Sequence, residues 1–180
     1  MFRCVGCANT WIPGDPDYQL LQSAMAVGTH LTRIQAATEE MRGLRDRLDP
    51  IYVYYFPKRW RTVLLRALRL TPLPDFGRFR GEISEIASAA TQAITRADEA
   101  ITSLTGLQAP SDVLEFAQVA RRQVFLDGSF ITSFARFIIA LDVGDPIAGR
   151  ASSDMRQFSK RAHENLASLQ RAFSRVQSTK

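Results

Sequence analysis

Along four stretches of this 180-residue chain, apolar residues return at alternating steps of three and four. That period marks one face of an α-helix, and a helix so patterned must bury that face against a neighbour. Four such stretches predict an all-α fold, an antiparallel four-helix bundle. The first stripe is Leu20, Ala24, Val27, Leu31, Ile34, Met41, Leu44 and Leu48. Asp15-Pro16 opens it, a capping residue followed by proline at the first helical position. Gly28 interrupts it as a kink or a point of close packing. Asp49-Pro50 is expected to close it, because a residue before proline is pushed out of the helical region. The aromatic, β-branched run Ile51 to Phe56 then reads as a short extended segment ended by Pro57.

The second stripe, Ile83, Ile86, Ala90, Ile94, Ala97, Ile101 and Leu104, is rich in alanine and predicts close approach to a neighbour, with Gly106 as its C-terminal cap. The third follows Pro110-Ser111-Asp112, where Asp112 and Glu115 have the spacing of a capping box. Val113, Ala117, Ala120, Val124, Ile131, Phe134, Ile138 and Leu141 keep one phase, and the missing member of the series is Asp127. A carboxylate there, followed by Gly128, either breaks the helix, with Ser129 capping a fresh one, or serves a partner; the break is the expectation. A loop over Gly144, Asp145-Pro146 and Gly149 leads to a last helix at 153–177, striped by Met155, Phe158, Ala162, Leu166, Leu169, Phe173 and Val176. Its far side carries Arg156, Lys160, Arg161, Arg171 and Arg175, which reads as a solvated face.

Between the first two stripes, Lys58 to Leu70 sets Trp60, Val63, Leu64, Ala67 and Leu68 opposite Arg59, Arg66 and Arg69. This is an extra short basic helix that packs on the bundle, lies on a membrane surface or contacts nucleic acid. Thr71 to Gly81, with two prolines and two glycines, is an irregular loop. No internal repeat or linker divides the chain, so one helical-bundle domain spans 1–180, with 1–14 as a mobile N-terminal arm.

The motifs of catalysis are missing. There is no Gly-rich phosphate loop, no Gly-x-Ser-x-Gly, no His-Glu-x-x-His and no Glu-x-x-His pair. The acid pairs Glu39-Glu40 and Asp98-Glu99 are sequence neighbours that point to different sides of their helices. His30 and His163 each stand alone, and Cys4 and Cys7 form a Cys-x-x-Cys without the two further ligands a zinc site needs. The expectation is a protein that is not an enzyme and holds no metal or cofactor. The longest uninterrupted apolar run is far short of the ~20 residues of a membrane span. The N-terminus lacks a secretory apolar core, so the expected address is cytosolic.

Charge gives the last clue. Of the 23 basic residues 20 are arginine, with a net charge of +5. Guanidinium forks pair two-pronged with phosphates where ammonium does not, although a GC-rich genome produces the same bias.

The order of these features resembles the coat proteins of rod-shaped RNA viruses of the tobacco mosaic virus type. Trp11 followed by Asp15-Pro16 and a long helix is similar to that family's opening, and Glu40 to Pro57, ending in Tyr55-Phe56-Pro57, resembles its helix and aromatic-Phe-Pro element. Arg121-Arg122 through Leu141 can be laid on the family's last radial helix without a gap. The basic stretch 58–70, the loop 71–81, the helix at 153–177 and the offset of Asp127 depart from the pattern. The resemblance implies a structural coat or nucleocapsid subunit, a homo-oligomer that assembles helically and packages single-stranded RNA, found in the virion and host cytoplasm. The positions it implies at the RNA are Arg33, Arg96, Arg121, Arg122 and Asp127. The alternative is a helical scaffold subunit of a larger assembly, or a bundle that docks on a membrane surface through 58–70. The aromatic run 51–56 and the Phe-rich segment 130–141 exceed what one small bundle easily buries, which also points to self-association.

Overall fold

Each stripe becomes one unbroken helix in the computed structural model, which describes residues 2–3, 10–11, 16–57, 68, 72–107 and 109–178. The helices are α1 (Pro16–Tyr55), α2 (Arg80–Gly106), α3 (Ser111–Val143) and α4 (Ala148–Ser178), preceded by a two-residue antiparallel pairing of β1 (Phe2–Arg3) with β2 (Thr10–Trp11). The fold is all-α. The cap at Asp15, the pair Cys4 and Cys7, the rest of the arm 1–14 and, but for Leu68, the basic helix at 58–70 lie outside the described residues.

Ion pairs between helices give their directions. Arg96 meets Glu40 and Arg47 meets Glu85, so α1 and α2 run antiparallel. Arg121 with Asp98 and Arg80 with Asp142 set α2 against α3, and Arg175 with Glu115 sets α3 against α4. α3 packs against all three other helices, whereas α4 rests almost wholly on α3. By length and composition α3 could cross a membrane, a property that counting uninterrupted apolar residues overlooks; 61% of its most apolar stretch is buried inside the fold.

The buried seams keep heptad steps. On α2 they are Ile83, Ile86, Ala90, Ala93, Ala97, Ala100 and Leu104, where four alanines let α1 and α3 approach closely. On α1 they are Ile34, Ala37, Met41, Leu44, Leu48, Ile51 and Tyr55. This phase runs straight through Pro50, so the expected end at Asp49-Pro50 and the extended segment 51–56 are corrected: α1 continues to Tyr55. A proline inside a helix costs about 3 kcal/mol. Burying Ile51 and Tyr55 on the seam, at roughly 1.5–3 kcal/mol per large side chain, offsets it, and Pro50 itself points to solvent.

Asp127-Gly128 does not break α3 either. A Cβ on Gly128 would come within 2.6 Å of Ile94 Cδ1 and 3.1 Å of Met41 Cε, so glycine lets α1 and α2 close onto α3. The Asp127 carboxylate serves a partner in α1, as described below. Gly28 is exposed with open space beside it, which removes close packing as its role. Gly106 is the last residue of α2 and the cap falls at Leu107, while Glu115 pairs with Arg175 instead of closing a capping box. The left-handed cap is Gly144, at φ 71°, where the Asp145 N–H reaches back to the Ala140 carbonyl at 2.8 Å.

At one end of the bundle the surplus aromatics cover one another. Tyr52 packs on Phe56, Phe130 and Phe134, Phe56 stacks on Phe137, and Tyr55 stacks on Phe76 with centroids 5.6 Å apart. The Tyr55 hydroxyl donates to the carbonyls of Asp75 and Phe76, pinning the 72–79 loop across this end. Burial, outweighing a backbone hydrogen bond from Phe79, raises the Tyr55 pKa above its ordinary value.

Two outcomes test this packing. Gly128→Val should destabilise the protein by about 1–3 kcal/mol through overpacking against Ile94 and Met41, while Gly128→Ala should be nearly neutral because the tip of Ile94 can rotate away; urea denaturation separates them. Because folding favours the protonated Tyr55, its contribution is intact below about pH 10 and is lost as pH climbs from there to the raised value. Melting temperature should therefore fall less steeply above pH 10 in Tyr55→Phe than in the parent.

Candidate nucleic-acid interface

The arginines singled out by the sequence fall into two clefts of opposite character. Between α1 and α2, Arg33 and Arg96 share a cleft with Glu40 and Glu99. Arg96 grips both oxygens of Glu40, at 2.6 and 2.8 Å, so the cations are matched by carboxylates and little is left for an anion. The antiparallel pairing of α1 with α2 produces this arrangement, because it brings the acidic turn of α1 beside Arg96.

The second cleft lies where α2, α3 and α4 meet. Its lining includes Ile101, Gln118, Arg121, Arg122, Phe125 and Arg161, and no carboxylate. The Arg121 Nε donates to Asp98 Oδ1 at 2.5 Å, and that hydrogen bond raises the Arg121 pKa above its ordinary value. The bond aims the guanidinium along the cleft, 6.0 Å over the Phe125 ring. Arg122, one residue on, is exposed and has no ion-pair partner among the described residues. Arg161 enters from α4, and Phe125 remains 40% exposed while meeting Phe158 edge-on. Two guanidinium groups without an ion-pair partner among the described residues, Arg122 and Arg161, with Arg121 held by Asp98 beside an open aromatic face, suit a phosphate chain with unstacked bases.

Asp127 stands apart from both clefts. It is buried, accepts from Arg45 of α1 and takes a 2.8 Å hydrogen bond from Gln123 Nε2. Gln123 Oε1 in turn accepts from Asn165 of α4, which also donates to the Val119 carbonyl. The helical period brings Arg121 and Arg122 to the cleft and turns Asp127 inward. In the sequence Arg161 reads as one member of the solvated basic face of the last helix. Knowledge of how α4 seats on α3 is needed to distinguish it from Arg171.

The phase of α4 itself is corrected here. Its seam carries Ala151, Met155, Ala162, Asn165 and Ala172, while the expected Leu166 and Phe173 are 45% and 50% exposed. Among the described residues, no group of three or more His, Cys, Asp or Glu could hold a metal ion, and His30 Nδ1 is buried without a hydrogen-bond partner.

No protein-family model matches this chain, and neither a curated protein nor a solved structure matches it. Removing Arg45 (Arg45→Met) leaves the Asp127 carboxylate without its cation and should destabilise the fold by about 1–3 kcal/mol, less than a sealed pair would because the Arg45 side chain is 38% exposed. Adding Asp127→Leu should restore most of that loss in a denaturant titration.

Proposed function

We propose that this protein is a structural, self-associating helical-bundle subunit that coats single-stranded RNA through arginine–phosphate contacts, in the manner of the rod-virus coat proteins it resembles. The observation that carries the reading is the α2–α3–α4 cleft, where Arg121, Arg122 and Arg161 converge beside Phe125 with no carboxylate in the lining. Guanidinium forks neutralise phosphates without reading base edges, so a strand of any sequence fits, as packaging of a whole genome requires. Phe125 adds a surface on which any base can stack.

Self-association has its own support. The aromatic runs first linked to it are consumed inside the bundle. Other apolar residues remain outside: Leu20 and Met25 on the early turns of α1, and Leu166 and Phe173 on α4. Exposed apolar side chains of this size suit contact between copies of the chain.

The purified protein should carry absorbance at 260 nm and form rods under negative-stain microscopy. A clean monomer by light scattering from pH 5 to 8 overturns the coat reading, and rods that assemble equally well free of RNA favour a protein scaffold. Arg121→Gln with Arg122→Gln should leave the fold and assembly intact while nuclease protection of RNA falls. The slope of log affinity against log salt should shrink by about one to one and a half units, at roughly 0.7 per phosphate contact on a single strand. Protection equal to the parent would exclude this cleft.

A further inference from the structure

Because α4 leans almost wholly on α3, it has a second open flank, facing α1. There, two adjoining hollows share Tyr52, Phe130 and Ser159. Arg45 and Asp49 of α1 line one of them, and Arg156 and Lys160 of α4 line the other. The floor is aromatic and already ordered. Phe130 is buried, with the Arg45 guanidinium 5.0 Å above its ring, and the Asp127 carboxylate holds that guanidinium in place. The Tyr52 ring is fixed by Phe56 and Phe134, at 5.1 and 5.6 Å, and its hydroxyl has no hydrogen-bond partner among the described residues.

The wall is cationic. Arg156 is exposed and has no ion-pair partner among the described residues, and Lys160 is 80% exposed with only Glu164 nearby, at 3.9 Å. Arg156 and Lys160 lie one turn apart on the same side of α4. Arg161 follows Lys160 directly and faces the other flank, into the cleft with Arg121 and Arg122. Arg156, Lys160 and Arg161 thus line α4 from one groove to the other, with Glu164 set between Lys160 and Arg161. Asp49 is the one carboxylate lining the α1 side, set against Arg45, Arg156 and Lys160.

We infer that a single RNA strand crosses α4, passing from the Arg121–Arg122–Arg161 cleft over Lys160 into the α1–α4 groove, where Arg156 and Lys160 take phosphates and the Arg45 plate beside Tyr52 receives a base. This rests on the RNA-binding reading and extends it to a second groove. A base stacks on a guanidinium plane as it does on an aromatic ring, and the free hydroxyls of Tyr52 and Ser159 offer hydrogen bonds without demanding one base. The helix to be crossed is about 10 Å across with its side chains, within reach of a strand only a few nucleotides long.

The experiment uses the full chain and a fluorescent oligouridylate, with anisotropy read across a salt series. Arg156→Gln with Lys160→Gln should reduce the salt slope by about one to one and a half units, as Arg121→Gln with Arg122→Gln does, and the four-fold variant should lose both contributions. These α4 side chains are exposed, so an unchanged circular dichroism melt should confirm intact fold. An oligonucleotide carrying 4-thiouridine should crosslink, on irradiation, to a peptide containing Tyr52. If the α4 pair leaves the slope at the parent value while the α3 pair lowers it, the crossing is overturned and the RNA reading stands. If the parent binds no oligouridylate at all, both fall. If it binds phosphatidylserine vesicles instead, the cationic wall is a membrane contact and both fall as well.

Discussion

A buried polar chain holds the bundle in register. Arg45 of α1 pairs with Asp127 of α3, Asp127 accepts from Gln123, and Gln123 accepts from Asn165 of α4. Asp127 and Asn165 occupy seam positions that an apolar residue would fill more stably, and sliding α1, α3 or α4 by one turn would leave a carboxylate or an amide buried without a partner. Apolar seams alone tolerate such slips, because one heptad looks much like the next. The chain matters most for α4, which has little besides α3 to set its height.

That height decides which charges meet. With Asn165 seated on Val119 and Gln123, Arg161 falls beside Arg121 and Arg122, and Arg175 falls beside Glu115. On the other side of the molecule Glu40 of α1 closes off Arg96, and Glu85 of α2 closes off Arg47. Among the described residues α4 carries an excess of basic over acidic side chains that the other three helices lack. The proposed RNA path follows this excess, although Arg121, Lys160 and Arg45 each have a carboxylate partner. It depends on packing rather than on the modest net charge.

Two small features let the four helices close. Gly128 removes the side chain at the point where α1, α2 and α3 meet, and Gly144 turns the chain through a left-handed cap into the loop that starts α4. The aromatic cluster then seals the end where α1 stops. Tyr55 ties the 72–79 loop down through its hydroxyl while its ring faces Phe76, Phe79 and Phe134. Aromatic residues that look like a surplus in the sequence are, in the fold, one another's neighbours.

The apolar period determined by itself that this chain forms four long helices, since a stripe at steps of three and four has no other way to be buried. The continuation of α1 was also legible: Leu44, Leu48, Ile51 and Tyr55 keep the phase across Pro50, and a proline's local penalty is small beside a seam that extends past it. The roles of the polar seam residues were not. Asp127-Gly128 carries the local signature of a break, and only the arrival of Arg45, 82 residues away in sequence, together with Ile94 and Met41 pressing on the glycine, makes an unbroken helix the better solution. The same holds for the arginines. Composition supplies 20 of them, but whether a guanidinium is free or spent depends on which carboxylate the neighbouring helix brings within 4 Å. Helix direction and register set that distance, and both are properties of the tertiary structure.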